Sequence, residues 1–175
     1  DNLYARHQPQ VLLAHDDDFL YYALQSPIRS ESGLTVQARN HDDPVWQDDS
    51  AELHLDPTPQ TPDAYQLVIN SVGTVFDQHY NADDRTAGEG AEWDCEGLVV
   101  GSGVTDDQWT LELAVPFAAL GVDPPADGEQ WLFNACETRT GVGAHPLSAV
   151  RTYRERDSFG RLAFTDEAPI LRMPN

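Results

Sequence analysis

The stretch Trp109-Thr110-Leu111-Glu112-Leu113-Ala114-Val115 indicates the fold more clearly than any other part of the sequence. Its large apolar side chains occupy every second position, and small or polar side chains lie between them. Because successive side chains of a β-strand point to opposite faces, this alternation predicts a strand with one buried face. Ala51-Glu52-Leu53-His54-Leu55 repeats the pattern. Together the two stretches predict sheet structure with one apolar and one polar face.

Outward from these stretches, short apolar runs bounded by turn residues predict most of the remaining strands. They are residues 11–15, 19–24, 34–38, 65–70, 74–78, 93–100, 130–138 and 159–164. Turn residues between the first two runs, and between 65–70 and 74–78, predict two hairpins. The remaining predictions are connections at 101–103 and 106–107, loops at 81–92 and 141–157, and one helical turn at 116–121.

About ten short strands with almost no helix predict an all-β fold, an antiparallel β-sandwich or jelly roll. The length of 175 residues fits one domain over residues 1–175. Nothing in the sequence indicates a second core or an internal repeat.

The charge of the chain limits its partners. Thirty acidic residues face ten basic ones, all of them arginine, which gives a net charge of −20. A field of this sign repels phosphate backbones and anionic lipids, so we expect no nucleic acid partner and no membrane insertion. The spread of acidic residues is typical of a solvated surface, and with the absence of lysine it suggests a saline habitat. The chain does not begin with a signal peptide, and a mature or excised secreted domain would begin in the same way.

Cys95 and Cys136 lack the spacing of a metal site. Two interpretations stay open. In an extracellular protein the pair can form a disulfide, which would close a long loop and add about 3–4 kcal/mol. Otherwise the two are buried thiols that pack as small hydrophobic side chains.

Four predicted strands each carry one carboxylate or amide on the face away from the core. These residues are Glu52, Asn70, Glu112 and Asn134. On a curved sheet they could converge on a concave face and bind a polar ligand. The alternative is that they line the solvated face that most antiparallel sheets possess.

Trp46 lies in an acidic loop directly before the strand that carries Glu52. An indole in such a loop can offer a flat apolar surface to a ligand. Sugar rings have apolar C–H faces that stack on indoles, while carboxylates and amides bind their hydroxyls. The alternative is that Trp46 covers an edge of the sandwich.

The segment Val45-Trp46-Gln47-Asp48-Asp49-Ser50-Ala51-Glu52-Leu53 resembles the signature of the family 9 carbohydrate-binding modules, in which a tryptophan and two aspartates precede a glutamate that enters a strand. Further similar segments follow in the family's order. They are residues 65–70, 73–77, 109–117 and 131–134, Arg139, and residues 159–162. Together the similar segments span about residues 11–164.

The resemblance implies a secreted or cell-surface β-sandwich that binds poly- or oligosaccharide without altering it and is attached to a polysaccharide-active enzyme. It implies that Trp46 stacks on the sugar, and that Glu52 and Asn70 bind its hydroxyls. By the same resemblance, Asn134 and Arg139 line that site.

The chain departs from the family at three points, the first being that the family's early segment, which leads into the first strand, is largely missing. Family members hold the sugar between two tryptophans, whereas residues 140–157 contain none; Tyr153, the only aromatic residue there, is the candidate for the second ligand-binding platform. Val68 replaces an arginine expected two residues before Asn70. These departures leave the identity of the sugar and the recognition of a chain end open.

Structural calcium is the cofactor that the resemblance implies. Acidic loops at residues 16–18, 42–43 and 83–84 offer the oxygen ligands that calcium prefers. None has the spacing of a recognised calcium loop, so no ligand is assigned.

Three other functions remain as alternatives. Glu52 and Glu112 could form the paired carboxylates of a glycoside hydrolase. A related sandwich superfamily binds haem between its sheets, but that would need axial ligands among six scattered histidines and Met173. The third alternative is a structural or partner-docking sandwich without a sugar ligand.

Overall fold

Strands make up nearly all of the regular structure. The computed structural model describes residues 9–28, 33–81, 92–140, 143–146 and 156–166, with the backbone alone at 143–146. Within these residues the strands are β1 (Gln10–His15), β2 (Phe19–Pro27), β3 (Ser50–Asp56), β4 (Asp63–Asn70), β5 (Val75–Asn81), β6 (Val99–Val104), β7 (Gln108–Pro116), β8 (Gln130–Arg139), β9 (Gly143–Pro146) and β10 (Gly160–Ala163).

The strands form two antiparallel sheets. The smaller sheet has the order β1-β2-β7-β6, and the larger has the order β10-β8-β3-β4-β5. β8 is long enough to pair with β10 at its start and with β9 at its end. The prediction of an all-β antiparallel sandwich is confirmed, as are both predicted hairpins, β1–β2 and β4–β5.

The core lies between the sheets and follows the alternation in the sequence. Trp109, Leu111, Leu113 and Val115 of β7 are each at most 2% exposed. They pack with Ala51, Leu53 and Leu55 of β3 in one apolar cluster. Since each large buried side chain contributes about 1.5–3 kcal/mol, this layer supplies the main stabilisation of the sandwich.

The opposite face of the larger sheet is polar, yet it is also buried. All seven residues of β3 are buried, although Glu52, His54 and Asp56 point away from the core. Gln66 of β4 and Asn134 of β8 lie beside His54 in the sheet and are buried too. The larger sheet therefore has two dry faces, and its polar face needs internal hydrogen bonds.

Residues 34–38 do not form the predicted strand. Their backbone N–H groups donate to side chains instead of to a neighbouring strand: Thr35 donates to Asp49 at 2.8 Å, and Gln37 donates to Asp48 at 2.8 Å. The carboxylates thus replace the ladder that a strand would need.

Two other boundaries differ from the sequence predictions, whereas the helical turn predicted at residues 116–121 is present. Residues 93–98 are not a strand, and β6 instead runs through Gly101-Ser102-Gly103, which was predicted to be a connection. β9 lies inside the predicted loop 141–157. Residues 116–121 form successive turns, with Ala119 N–H donating to Pro116 O and Gly121 N–H to Ala118 O.

Both cysteines are buried thiols, and no disulfide joins them. Cys95 packs in the core cluster, whereas Cys136 pairs with Glu52 in the sheet and shares its outward face. Burial raises the pKa of the Cys95 thiol to about 12. No helix in the described part of the chain is long or apolar enough to cross a membrane.

Candidate functional site

Trp46 occupies a short 3₁₀ helix, Val45–Gln47, which precedes β3. Val45 is fully buried and packs with Ala38, Val68 and Phe76 in a small second apolar cluster. The indole of Trp46 meets the Phe76 ring edge-on, at a centroid distance of 4.8 Å and an angle of 76°. Trp46 nevertheless remains 45% exposed. The indole is therefore held at one edge while much of its surface faces solvent.

The two aspartates after Trp46 hold its loop in place. Asp48 is fully buried and accepts hydrogen bonds from the backbone of Gln37 and Ala38, at 2.8 and 3.0 Å. Asp49 accepts from Thr35 at 2.8 Å and from Thr140 N–H at 2.5 Å. These carboxylates therefore stabilise the support of Trp46 and do not face a ligand.

Asn70, at the end of β4, completes the same support. Its Nδ2 donates to Asp48 Oδ2 at 2.9 Å and to Ala38 O at 3.2 Å. Its Oδ1 accepts from the backbone of Val72 and Thr74, at 3.2 and 2.9 Å. Both donors and the acceptor of the amide are thus engaged within the protein, which leaves little capacity for a sugar hydroxyl.

Glu52 lies on the polar face of the larger sheet and is 3% exposed. Its carboxylate accepts from Gln66 Nε2 at 2.9 Å and from Thr138 Oγ1 at 3.3 Å. Nε2 of His54 lies 3.5 Å from Glu52 Oε2. Val68 of β4 pairs with Glu52 of β3 on one side and with Phe76 of β5 on the other. Glu52 is therefore two strands, or about 10 Å, from the ring that supports Trp46.

Asn134 extends this polar face by one strand. It pairs with His54, is fully buried, and lies on the same face of the sheet as Glu52. His54 in turn contacts Tyr80, with 3.0 Å between Nδ1 and the hydroxyl. The structure therefore brings Glu52 and Asn134 together, with the indole of Trp46 at one side. The sequence predictions did not include Gln66 or Tyr80, although alternation along β4 and β5 assigns both to this face.

Arg139 does not join this face, which corrects the prediction that it lines the same site as Asn134. Alternate residues of a strand point to opposite faces, so even-numbered and odd-numbered positions of β8 lie on different faces. Asn134 points away from the core, and Arg139 therefore points toward the smaller sheet. Its Nη2 donates to Ser26 Oγ of β2 at 2.7 Å and lies 2.8 Å from Glu137 Oε1. The guanidinium carbon also lies 5.6 Å from the ring centroid of Trp109. Arg139 thus ties the two sheets together at one end of the sandwich.

Glu112 is also separated from the others, so the predicted convergence of four polar residues is wrong. It lies on β7 of the smaller sheet, between Ala23 and Gly101, and is exposed on the outer surface. Glu52 and Glu112 therefore point away from each other on opposite sides of the sandwich. Paired carboxylates of a glycosidase must flank one bond at about 5–9.5 Å, so these two cannot act as such a pair.

Tyr153 and the acidic loop at 83–84 lie outside the described residues. In the loop at 16–18, Asp16 accepts from Asp18 N–H, Tyr21 OH and Phe19 N–H, and these bonds, with that from Asp18 the largest, lower the pKa of its carboxyl. Asp43 is held in the same way by the backbone of Arg39 and Asn40. Both aspartates have a role in their turns, and calcium binding stays a prediction.

Among the residues that the structure describes, two groups of side chains have the donor atoms for a metal ion. One is Glu52, His54 and Cys136 on the buried polar face, and the other is His41, Asp77 and Asp94 at the edge of β5. In the second group, His41 Nε2 lies 3.3 Å from Asp77 Oδ1. Asp77 is almost fully buried, and its Oδ2 accepts from Cys95 N–H at 2.7 Å.

The Asp77 carboxyl makes stability depend on pH. Burial raises its pKa above the ordinary value of 3.8, against the opposing effects of the Cys95 N–H and His41. A raised pKa means that the contribution of Asp77 to folding is complete at low pH and is lost as the pH rises through the raised value.

We therefore expect Asp77→Asn, which keeps an acceptor for Cys95, to unfold a few degrees above the wild type at pH 7. This difference should shrink as the pH falls toward 4, because the Asp77 carboxyl becomes protonated. Thermal unfolding between pH 4 and 7, in EDTA, measures it. The exposed Asp123→Asn serves as the control, and a gap that widens in acid would contradict the account.

No protein-family model matches the sequence, and no significantly similar sequence was found among curated proteins. Solved structures do match. A protein from Bacteroides uniformis ATCC 8492, provisionally described as carbohydrate-binding, superposes with a TM-score of 0.71 at 18% identity, over 90% of this chain and 78% of that one. A family 9 carbohydrate-binding module from Caldicellulosiruptor kristjanssonii in complex with glucose gives 0.68 at 14% identity, over 95% and 82% of the two chains.

The complex of a family 9 module from the same organism with cellotriose gives a TM-score of 0.66 at 12% identity, over 97% of this chain and 81% of that chain. At these identities the similarity establishes the fold. The chain has the β-sandwich fold of the family 9 carbohydrate-binding modules, as its sequence motifs imply.

Proposed function

We propose that this chain is a non-catalytic carbohydrate-binding domain in which a sugar ring stacks on Trp46. The observation that carries the proposal is the indole itself, which is half-exposed while Phe76 and a 3₁₀ helix anchored by buried Val45 fix its orientation. An aromatic ring that is already ordered loses little entropy when a ligand binds. Its flat surface suits the C–H face of a neutral sugar.

Glu52 and Asn134 are the proposed hydrogen-bonding partners of the sugar, because they share the polar face that begins beside Trp46. Both are buried, and Glu52 already accepts from Gln66 and Thr138. A sugar hydroxyl therefore has to replace an internal partner, so we expect modest dissociation constants, in the micromolar to millimolar range, or about −4 to −8 kcal/mol. Asn70 acts instead as a positioning residue through Asp48.

The biological role that we propose is to hold an attached polysaccharide-active enzyme at its substrate outside the cell. A tethered binding module raises the local concentration of its partner without any change in the chemistry of catalysis. Structural neighbours solved with glucose and cellotriose make β-glucans the first ligands to test.

The test is an affinity-gel and calorimetric screen of neutral glycans, including cellotriose, with and without EDTA. We expect Trp46→Ala to weaken binding by about tenfold or more, since loss of a stacking ring costs roughly 1.4 kcal/mol or more. Val72→Ala, which removes a 56% exposed apolar side chain from a different loop, should bind normally. Unchanged binding in Trp46→Ala would refute the proposed platform, and no binding to any glycan by folded protein would refute the function.

The alternative function, a partner-docking sandwich without a sugar ligand, predicts that the folded protein binds no glycan. For haem, the space between the sheets is filled in the described part of the chain by one apolar cluster that includes Leu20, Tyr22 and Trp109. A Soret band in the purified protein would revive that alternative.

A further inference from the structure

The outer face of the smaller sheet carries a groove of about 300 Å³, on the opposite side of the molecule from Trp46. The side chains that face outward along it are Leu12 and Ala14 of β1, Tyr21 and Ala23 of β2, and Glu112 of β7. Tyr21 is 38% exposed and Leu12 is 71% exposed. None of these residues takes part in the site proposed above.

The two side chains that can recognise a ligand stand between small neighbours. Tyr21 lies between Ala14 and Ala114 in the adjacent strands. Glu112 lies between Ala23 and Gly101. Cross-strand partners on a stabilising sheet surface are usually β-branched, aromatic or oppositely charged. Here the neighbours leave the sides of both the ring and the carboxylate accessible.

Gly101 contributes to this opening from within β6. A glycine inside a strand weakens the strand and often marks a close approach by a ligand or another backbone. A Cβ atom at this position would meet only Glu112, at 3.9 Å, so the fold does not require glycine there. The backbone would accept a larger residue at position 101, but its side chain would fill the space above Glu112 that glycine leaves open.

Tyr21 is held in a fixed orientation. Its hydroxyl donates to Asp16 Oδ2 at 2.7 Å, and Asp16 is itself fixed by the N–H groups of Asp18 and Phe19, at 2.9 and 2.8 Å. The ring of Phe19 lies at a centroid distance of 6.0 Å from that of Tyr21, tilted by 38°. As with Trp46, an aromatic surface is ordered before any ligand arrives, which reduces the entropic cost of binding.

The chemistry of the groove points to one kind of ligand. Glu112 and Tyr21 occupy diagonal positions on adjacent strands, with Cβ atoms about 7 Å apart, so a ring that stacks on Tyr21 places its hydroxyls near the carboxylate. Leu12 extends the apolar surface. The negative charge of Glu112 and the net charge of −20 disfavour uronic acids, sulfated glycans and nucleic acids.

We infer that this groove is a second sugar-binding surface, for a neutral polysaccharide, with Tyr21 as its platform and Glu112 as its hydroxyl acceptor. The class of ligand rests on the carbohydrate binding proposed for Trp46, but the two sites are independent. Because they lie on opposite outer faces, one short oligosaccharide cannot occupy both. The domain then binds two chain segments, and the avidity for an insoluble polysaccharide exceeds that of either site.

The experiment is a ¹⁵N–¹H NMR titration with cellohexaose of the wild type, Trp46→Ala, Tyr21→Ala and Gly101→Val. In Trp46→Ala we expect the amides of Leu12, Ala23, Gly101 and Glu112 to shift as they do in the wild type. Tyr21→Ala and Gly101→Val should each weaken that response by about tenfold or more, while shifts around Trp46 persist. Gly101→Val keeps both recognition residues, suits a strand, and covers Glu112 with an isopropyl group.

The outcomes separate the two proposals. Shifts confined to the surroundings of Trp46 would overturn the second surface and leave the first intact. Shifts confined to the smaller sheet would support the second surface and refute the Trp46 platform. No shifts in either region, with cellohexaose or with the other neutral glycans of the screen, would refute both. Equal shifts with polygalacturonate would contradict the selectivity for neutral sugars.

Discussion

Asp48→Ala is expected to lower the free energy of unfolding by about 3–5 kcal/mol, because a buried carboxylate with several hydrogen bonds would be removed. Asp48 is fully buried and accepts from Gln37 N–H, Ala38 N–H and Asn70 Nδ2, at 2.8–3.0 Å. In the variant these donors lose their common acceptor in an environment with little access to water. The loop that carries Trp46 should then lose its fixed conformation.

Chemical denaturation measures the loss of stability, and glycan affinity of the folded fraction measures the loss of orientation. We expect both to fall, although Asp48 does not contact the ligand. Asp43→Ala is the matched control, since Asp43 also accepts from two backbone N–H groups in this loop but is only partly buried. It should lower the free energy of unfolding much less than Asp48→Ala does. A loss below about 1 kcal/mol for Asp48→Ala would contradict the proposed support of Trp46.

Arg139→Ala is expected to cost a similar amount, about 3–5 kcal/mol, because it removes a guanidinium that pairs with a buried carboxylate. Glu137 is fully buried between the sheets, with Arg139 Nη2 at 2.8 Å and Ser26 Oγ at 2.5 Å from its Oε1. The variant also loses the stacking of the guanidinium over Trp109. The two sheets are therefore joined less tightly at this end.

A double-mutant cycle with Glu137→Gln tests the pairing. The neutral amide should restore part of the stability in the Arg139→Ala background, which gives a coupling energy of about 1 kcal/mol or more. Arg161→Ala, at an exposed arginine that bonds Gln130 at 3.1 Å, should cost less than about 1 kcal/mol. If Arg139→Ala instead keeps its stability and loses sugar affinity, the original prediction of a binding role would be right.

The sequence predicted the two-layered strand pattern well because burial on one side of a strand imposes a strict period of two. The same period of two also predicts the face of β8 on which Arg139 lies. Counting in twos from Trp131, whose ring is in the core, reaches Arg139 and places it between the sheets. At this position the family resemblance, which implies a role in the sugar site, and the alternation predict different locations, and the structure agrees with the alternation.

The location of Glu112 could not be read in this way. Alternation identifies the face of a strand that is away from the core, but both sheets of a sandwich have such a face. Which sheet contains β7 depends on pairing with β2 and β6, which is set by contacts that are distant in sequence. The hydrogen bonding of residues 34–38 could not be predicted for a similar reason, because their partners are carboxylates 10 to 14 residues away.

The buried polar face of the larger sheet was also not predicted. A polar residue that alternates with core residues normally faces water or a ligand, so the sequence predicts a solvated or ligand-binding face for Glu52 and Asn134 and not a buried one. In the structure these residues are buried, because both sides of β3 are covered. The position of Gly101 differs from its prediction for another reason: glycine is typical of turns and connections, but Gly101 lies in the middle of β6.

The central claim is that a sugar stacks on Trp46, and the indole N–H signals of the protein test it most directly. Of the four tryptophans, Trp109 and Trp131 are at most 1% exposed, and Trp93 packs against Tyr65 at 4.9 Å, so only Trp46 offers a half-exposed ring. In a ¹⁵N–¹H titration with cellotriose, we expect one indole resonance, absent from Trp46→Phe, to shift with saturation. A glycan that binds the protein while this resonance stays in place would contradict the account.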